Sequence, residues 1–98
     1  MGIDGYKIIH HPLVIQEDIP RLDKAWKLKV RDSIRQKLMS HPELYGKALH
    51  QDLKGFRKLR VGDYRVIYQV AGKNVRTLII GHRSIVYRDA RKRLVSSG

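Results

Sequence analysis

A change of hydrophobic period divides this chain. Trp26, Val30, Ile34 and Leu38 recur every fourth position, one slanting apolar stripe along a helix. From Phe56 onward the period is two. Residues 56–61 and 64–70 alternate on either side of Gly62-Asp63, and such a dipeptide between alternating runs is a strong hairpin signal. A third run, residues 75–81, follows the turn Ala71-Gly72-Lys73-Asn74. Its Leu78-Ile79-Ile80 is apolar without alternation, which predicts a central strand covered on both faces.

The N-terminal half reads as a strand and a helical hairpin. Residues 6–11 favour β structure, and Pro12 suits the first turn of a helix over residues 13–22. Pro20 is expected to distort that helix or end it near Ile19. Asp23 is placed to cap the second helix, and His41-Pro42 stops it. Residues 43–54 read as a connector containing Gly46, with Leu49 and Leu53 pinning it to the core. Residues 85–94 form a basic segment with helical potential, and residues 91–98 are expected to be a flexible basic tail. The fold class is α+β: an N-terminal strand, a helical hairpin, then a three-stranded antiparallel meander with the helices on one face. The 98 residues suit one domain over residues 1–98, with its core at about 6–90.

Composition excludes several classes. There is no cysteine, so no disulfide framework, thiolate nucleophile or cysteine metal site is available. No apolar run approaches the ~18–20 residues of a membrane span, and residues 1–11 lack the basic and apolar regions of a signal peptide, so none is expected. The formal charge is +12, and it is segregated. Residues 1–53 hold nine basic and seven acidic residues; residues 54–98 hold twelve basic and two acidic. A cationic half of this kind selects a polyanion, nucleic acid before a membrane surface.

Alternation then sorts the cations. Leu59 and Val61 must face the core, so Lys58 and Arg60 point to the open face of the sheet. Val66, Tyr68 and Val70 read as the core set of the next strand, which places Arg65 on that open face too. His82 and Arg83 close the last strand, with Tyr87 four residues beyond Arg83. Forked guanidinium donors grip phosphate oxygens, a histidine, lysine or tyrosine can shuttle protons, and an aromatic ring can stack on a base. Only Asp63 and Asp89 are acidic after residue 53, so no carboxylate cluster for Mg²⁺ is expected there. Nor do the five histidines form a metal-ligand pattern, and no cofactor is expected. His82 has two possible fates, because its parity matches Leu78 and Ile80: a proton carrier in the site, or a hydrogen-bonded core histidine.

The run from Leu53 to Tyr68, with its Leu59-Arg60-Val61-Gly62-Asp63-Tyr64-Arg65 centre, resembles the RelE/ParE toxin superfamily, as does Gly81-His82-Arg83 followed by Val86-Tyr87. His11-Pro12 with Asp18, and His41-Pro42-Glu43 with Gly46, fit the same pattern, and the resemblance spans roughly residues 6–90. It implies a RelE-like toxin of a type II toxin–antitoxin system: a metal-free, ribosome-dependent endoribonuclease that cuts mRNA in the cytoplasm. It implies catalytic roles for Lys58, Arg65, Arg83, Tyr87 and His82, with Lys54, Arg57, Arg60 and Arg88 binding RNA. The implied partners are the ribosome, mRNA and an acidic, RelB-like antitoxin, in a hetero-oligomer with the toxin and without a membrane. Where some relatives carry a second catalytic lysine this chain has Phe56, so the general base stays open. The alternatives are a ParE-like inhibitor of DNA gyrase and a non-catalytic nucleic-acid-binding relic.

Overall fold

Local chemistry sets where each element starts and stops in the computed structural model, which describes residues 5–97. Residues 1–4, where the signal-peptide expectation begins, and Gly98, the end of the expected tail, lie outside the described residues. Strand β1 (Lys7–His10) stops before Pro12, which opens helix α1 (residues 12–21) where a missing N–H is harmless. The His11 imidazole accepts the Leu13 N–H at 3.0 Å and caps that turn. Pro20 does not end the helix. The turn before it, Val14–Asp18, widens to π geometry, with the Ile19 N–H bonded to the Val14 carbonyl, and α geometry resumes over Ile19–Arg21. The wider turn gives room to the carbonyl that a proline ring would crowd. Asp23 caps helix α2 (residues 24–38) as the sequence predicts, its carboxylate accepting the Trp26 N–H at 2.9 Å.

Residues 43–54 are more than a connector. They include most of a short helix α3 (Pro42–Tyr45), a strand β2 (Lys47–Ala48) and a 3₁₀ turn (Gln51–Leu53). Two residues cannot display an alternating period, so β2 leaves no trace in the sequence. The meander follows as expected: β3 (Arg57–Val61), β4 (Tyr64–Ala71) and β5 (Asn74–His82), antiparallel throughout. It sits inside a larger sheet of five strands in the order β1-β5-β4-β3-β2. β2 extends one edge against β3, and β1 lies parallel to β5, with Ile8 opposite Val75 and His10 opposite Thr77. A parallel neighbour needs a long connection, and the chain from α1 through β4 supplies it, with the helical hairpin crossing one face of the sheet.

One face of the sheet presents Leu59, Val61, Val66, Tyr68, Val75 and Ile80 to the helical hairpin, where Val14, Leu22, Val30, Ile34 and Leu38 complete a buried core. At one end of this layer Gly62 takes φ +59°, and a Cβ there would lie 2.5 Å from the Trp26 ring. Only glycine serves both the turn and the indole resting on it. The other face is covered as well. The expectation of helices on one face only, and of a tail from residue 91, is corrected by α4 (Val86–Ser97), which continues to Ser97. Val86, Ala90 and Leu94 recur every fourth residue and pack with Leu53, Ile67, Leu78 and Ile79 in a second core.

A bulge explains why Leu78 and Ile79 both belong to that second core. Ile67 pairs with Ile79 and Tyr68 with Thr77, so Leu78 has no cross-strand partner. The extra residue breaks the parity assumed from the sequence. Leu78 faces α4, while Ile80 faces the hairpin.

Candidate functional site

Cross-strand register assembles the basic face. Arg60 lies opposite Arg65, which lies opposite Gly81; Lys58 lies opposite Ile67, which lies opposite Ile79. These two rows lie on the α4 side of the sheet. α4 covers the second row at Ile67 and Ile79, so the open face is confined to its margin. Gly81 makes this close approach possible: a Cβ there would stand 3.2 Å from Val86 Cγ2. The next residue, Tyr87, holds its ring 5.5 Å from Lys58 Nζ, a cation–π contact between helix and strand.

The arginines are held in differing ways. Arg65 is half-buried and donates to the Gly62 and Tyr64 carbonyls at 2.8 and 2.9 Å, so its guanidinium is fixed against the hairpin turn. Arg60 is exposed beside it. Arg83 lies across the same turn, its N–H bonded to the Asp63 carbonyl at 2.8 Å and its Nε 3.9 Å from the Asp63 carboxylate. Arg60, Arg65 and Arg83 thus gather around the turn end of β3–β5, with Lys58 and Tyr87 one row further along the same face.

Other expected site residues go elsewhere. Arg57 shares the parity of Leu59 and Val61, so it lies on the hairpin side, where it donates to the Gly46 and Glu43 carbonyls at 2.8 and 3.2 Å. It fixes the end of α3, on the side of the sheet away from Lys58 and Arg60. His82 lies opposite Tyr64, also on the hairpin side, its ring edge-on to Tyr64 at 5.7 Å. Its Nδ1 is 2.8 Å from the Ser84 hydroxyl, and Tyr64 in turn packs on Trp26 at 4.8 Å. His82 therefore does not join Lys58 and Tyr87. Lys54 is exposed at the end of the 3₁₀ turn, and exposed Arg88 donates to Asp89 at 3.2 Å.

Sequence reasoning assigns no partner to Asp18 or Arg93. The structure joins them: Arg93 donates to both carboxylate oxygens, at 2.7 and 3.1 Å, with the two side chains 8% and 4% exposed. They lie 75 residues apart, and no local pattern links them. A separate groove of about 710 Å³ runs between β1 and α2; it contains none of the expected site residues. Among the described residues no three of His, Asp and Glu lie close enough to hold a metal ion, and no helix is long and apolar enough to cross a membrane.

A small five-stranded α+β domain with a cationic margin at its central hairpin is a known architecture. The family described as ParE toxin of type II toxin–antitoxin system, parDE, matches residues 5–87. The protein Toxin RelE of Mycobacterium tuberculosis is 34% identical over 73 residues, covering 72% of this chain and 75% of that one. Among solved structures, the toxin–antitoxin complex RelBE2 from Mycobacterium tuberculosis superposes with TM-score 0.75 at 25% identity, over 81% of this chain and 99% of the other. A variant of the toxin RelE from E. coli in the free state gives TM-score 0.67 at 23% identity, over 91% and 97% of the two chains. The chain belongs to the RelE/ParE toxin family, and it is RelE-like.

Proposed function

We propose that this toxin is a metal-independent endoribonuclease that cuts mRNA on the ribosome. One observation carries the reading: Lys58, Arg60 and Arg65 share one face of the sheet, with Arg83 at its end and Tyr87 brought over Lys58 by α4. The ribose 2′-OH attacks the adjacent phosphorus, and the bond from phosphorus to the 5′ oxygen breaks. The products are a 2′,3′-cyclic phosphate and a 5′-OH. Arg65 and Arg83 bind the non-bridging oxygens, where negative charge grows in the transition state. Lys58 and Tyr87 are the groups on this face able to take the 2′ proton and return one to the leaving oxygen. Arg60, Lys54 and Arg88 bind flanking phosphates. A strand of mRNA presented by the ribosome reaches so shallow a face more readily than a free, folded RNA. The partner that restrains this activity is an acidic antitoxin, complementary to the cationic half and bound in a cytoplasmic hetero-oligomer.

The test is cleavage of one mRNA with and without ribosomes, in EDTA, beside a gyrase supercoiling assay. Ribosome-dependent cuts that persist in EDTA and end in a cyclic phosphate are expected. Arg65→Ala should slow them about 10²–10³-fold, the usual effect of losing one preorganised donor. Activity that vanishes in EDTA and returns with Mg²⁺ sinks the mechanism. Gyrase inhibition without RNA cleavage would favour the ParE-like reading.

A further inference from the structure

β1 pairs with β5 only as far as Thr77, while β5 runs on to His82. Among the described residues no strand accompanies that remaining edge. Two side chains take its backbone groups instead. The Asp18 carboxylate accepts the Ile80 N–H at 3.0 Å, and Arg93 donates to the Leu78 carbonyl at 2.9 Å. The same two side chains form the fork-to-fork pair at 2.7 and 3.1 Å. A buried ion pair is weak evidence for stability, since desolvation offsets its attraction. What a bidentate pair does specify is geometry.

That geometry bears on α4, which packs on the second core through Val86, Ala90 and Leu94 and is clasped towards its far end by the ion pair. Val86 rests on Gly81, and Arg93 is locked to Asp18 on α1. These two contacts are about 10 Å apart along the axis, at 1.5 Å per residue. The apolar stripe sets which face of α4 meets the sheet, and the Arg93–Asp18 fork fixes that end of the helix against α1. Tyr87 follows directly after Val86.

We propose that Asp18 and Arg93 are positioning residues: their pair holds α4 at the position that keeps Tyr87 over Lys58, and so couples the cleavage face to helix α1 beyond the sheet edge. This rests on the nuclease reading, so the test has one arm that needs cleavage and one that does not. Arg93→Lys keeps the charge and loses the fork. It is expected to slow single-turnover cleavage of ribosome-bound mRNA about 10–10²-fold, because displacing a reacting group by an ångström can cost about 10²-fold, with binding unchanged. In a Tyr87→Ala background the same change should alter the rate less than about twofold, since residues acting as a unit are not additive. Equal slowing in both backgrounds overturns the proposal, because a merely structural residue acts independently of Tyr87.

The second arm is hydrogen exchange on the uncomplexed toxin. Arg93→Lys and Asp18→Asn should raise exchange over residues 86–92 while β3 and β4 stay protected. Unchanged exchange in α4 overturns the proposal. Should Arg93→Lys fail to fold, the double variant Asp18→Asn/Arg93→Gln, which removes both buried charges, replaces it in both arms with the same expected results. Wild-type toxin that leaves mRNA intact defeats the nuclease reading alone, and the exchange result then decides the clasp.

Discussion

Tyr87 and His82 are five positions apart and end on opposite sides of the sheet. Tyr87 reaches Lys58 because α4 folds back over β5; His82 follows the parity of Ile80 and meets Tyr64. Tyr87→Phe should lower the cleavage rate about 10²-fold if its hydroxyl moves a proton, with RNA affinity kept; Tyr87→Ala should lose both. His82→Gln should leave the shape of the pH–rate profile unchanged, and a flattened profile would return His82 to the site. His10 carries a separate signal. Its Nδ1 lies 2.6 Å from the Thr77 hydroxyl, and burial holds its pKa below the ordinary 6.5. The folded state thus resists a proton that the unfolded state accepts, so stability is full above about pH 6.5 and falls as pH drops below it. Denaturant midpoints measured from pH 8 to 5 should show this loss, and His10→Gln should reduce it.

Among the elements, the central hairpin has the least tolerance. Gly62 serves a positive φ and a close indole contact together, so Gly62→Ala should destabilise by about 1–3 kcal/mol. Thermal unfolding read by Trp26 fluorescence, which reports the same contact, checks this. The hairpin, the α2 stripe and the Asp23 cap were legible because each signal lies within a few residues. β2 was not, because two residues hold no period. The helix through residue 97 was half legible: Val86, Ala90 and Leu94 carry the spacing, but the dense arginines around them read as a solvated tail. Arg93 reverses that reading, since its charge is met by Asp18. The Leu78 bulge was illegible, because an extra residue in a strand leaves the sequence pattern intact and changes only the register.

At the scale of the whole molecule, charge segregation becomes a directional field. The proposed phosphate contacts are Lys54, Arg60, Arg65, Arg83 and Arg88, and about five such contacts to a single strand imply a slope near −3.5 in log affinity against log salt, at about −0.7 per contact. Binding of an uncleavable 2′-deoxy substrate across a KCl series should show it. Affinity indifferent to salt would remove phosphate recognition from this face. The period change, the meander, the helical hairpin and the cationic half were all legible along the chain, because they rest on side-chain spacing and residue type over short stretches. The Lys58, Arg60 and Arg65 grouping also followed, since alternation within a strand is local. Register and long-range packing decided which strand lies beside β5, that α4 covers the second face, and that Arg57 and His82 lie on the hairpin side, opposite Lys58 and Arg65. Those outcomes depend on register and on contacts between residues far apart in the chain. The Asp18–Arg93 pair is the clearest instance: a charge buried near one end of the chain is met by a charge from near the other.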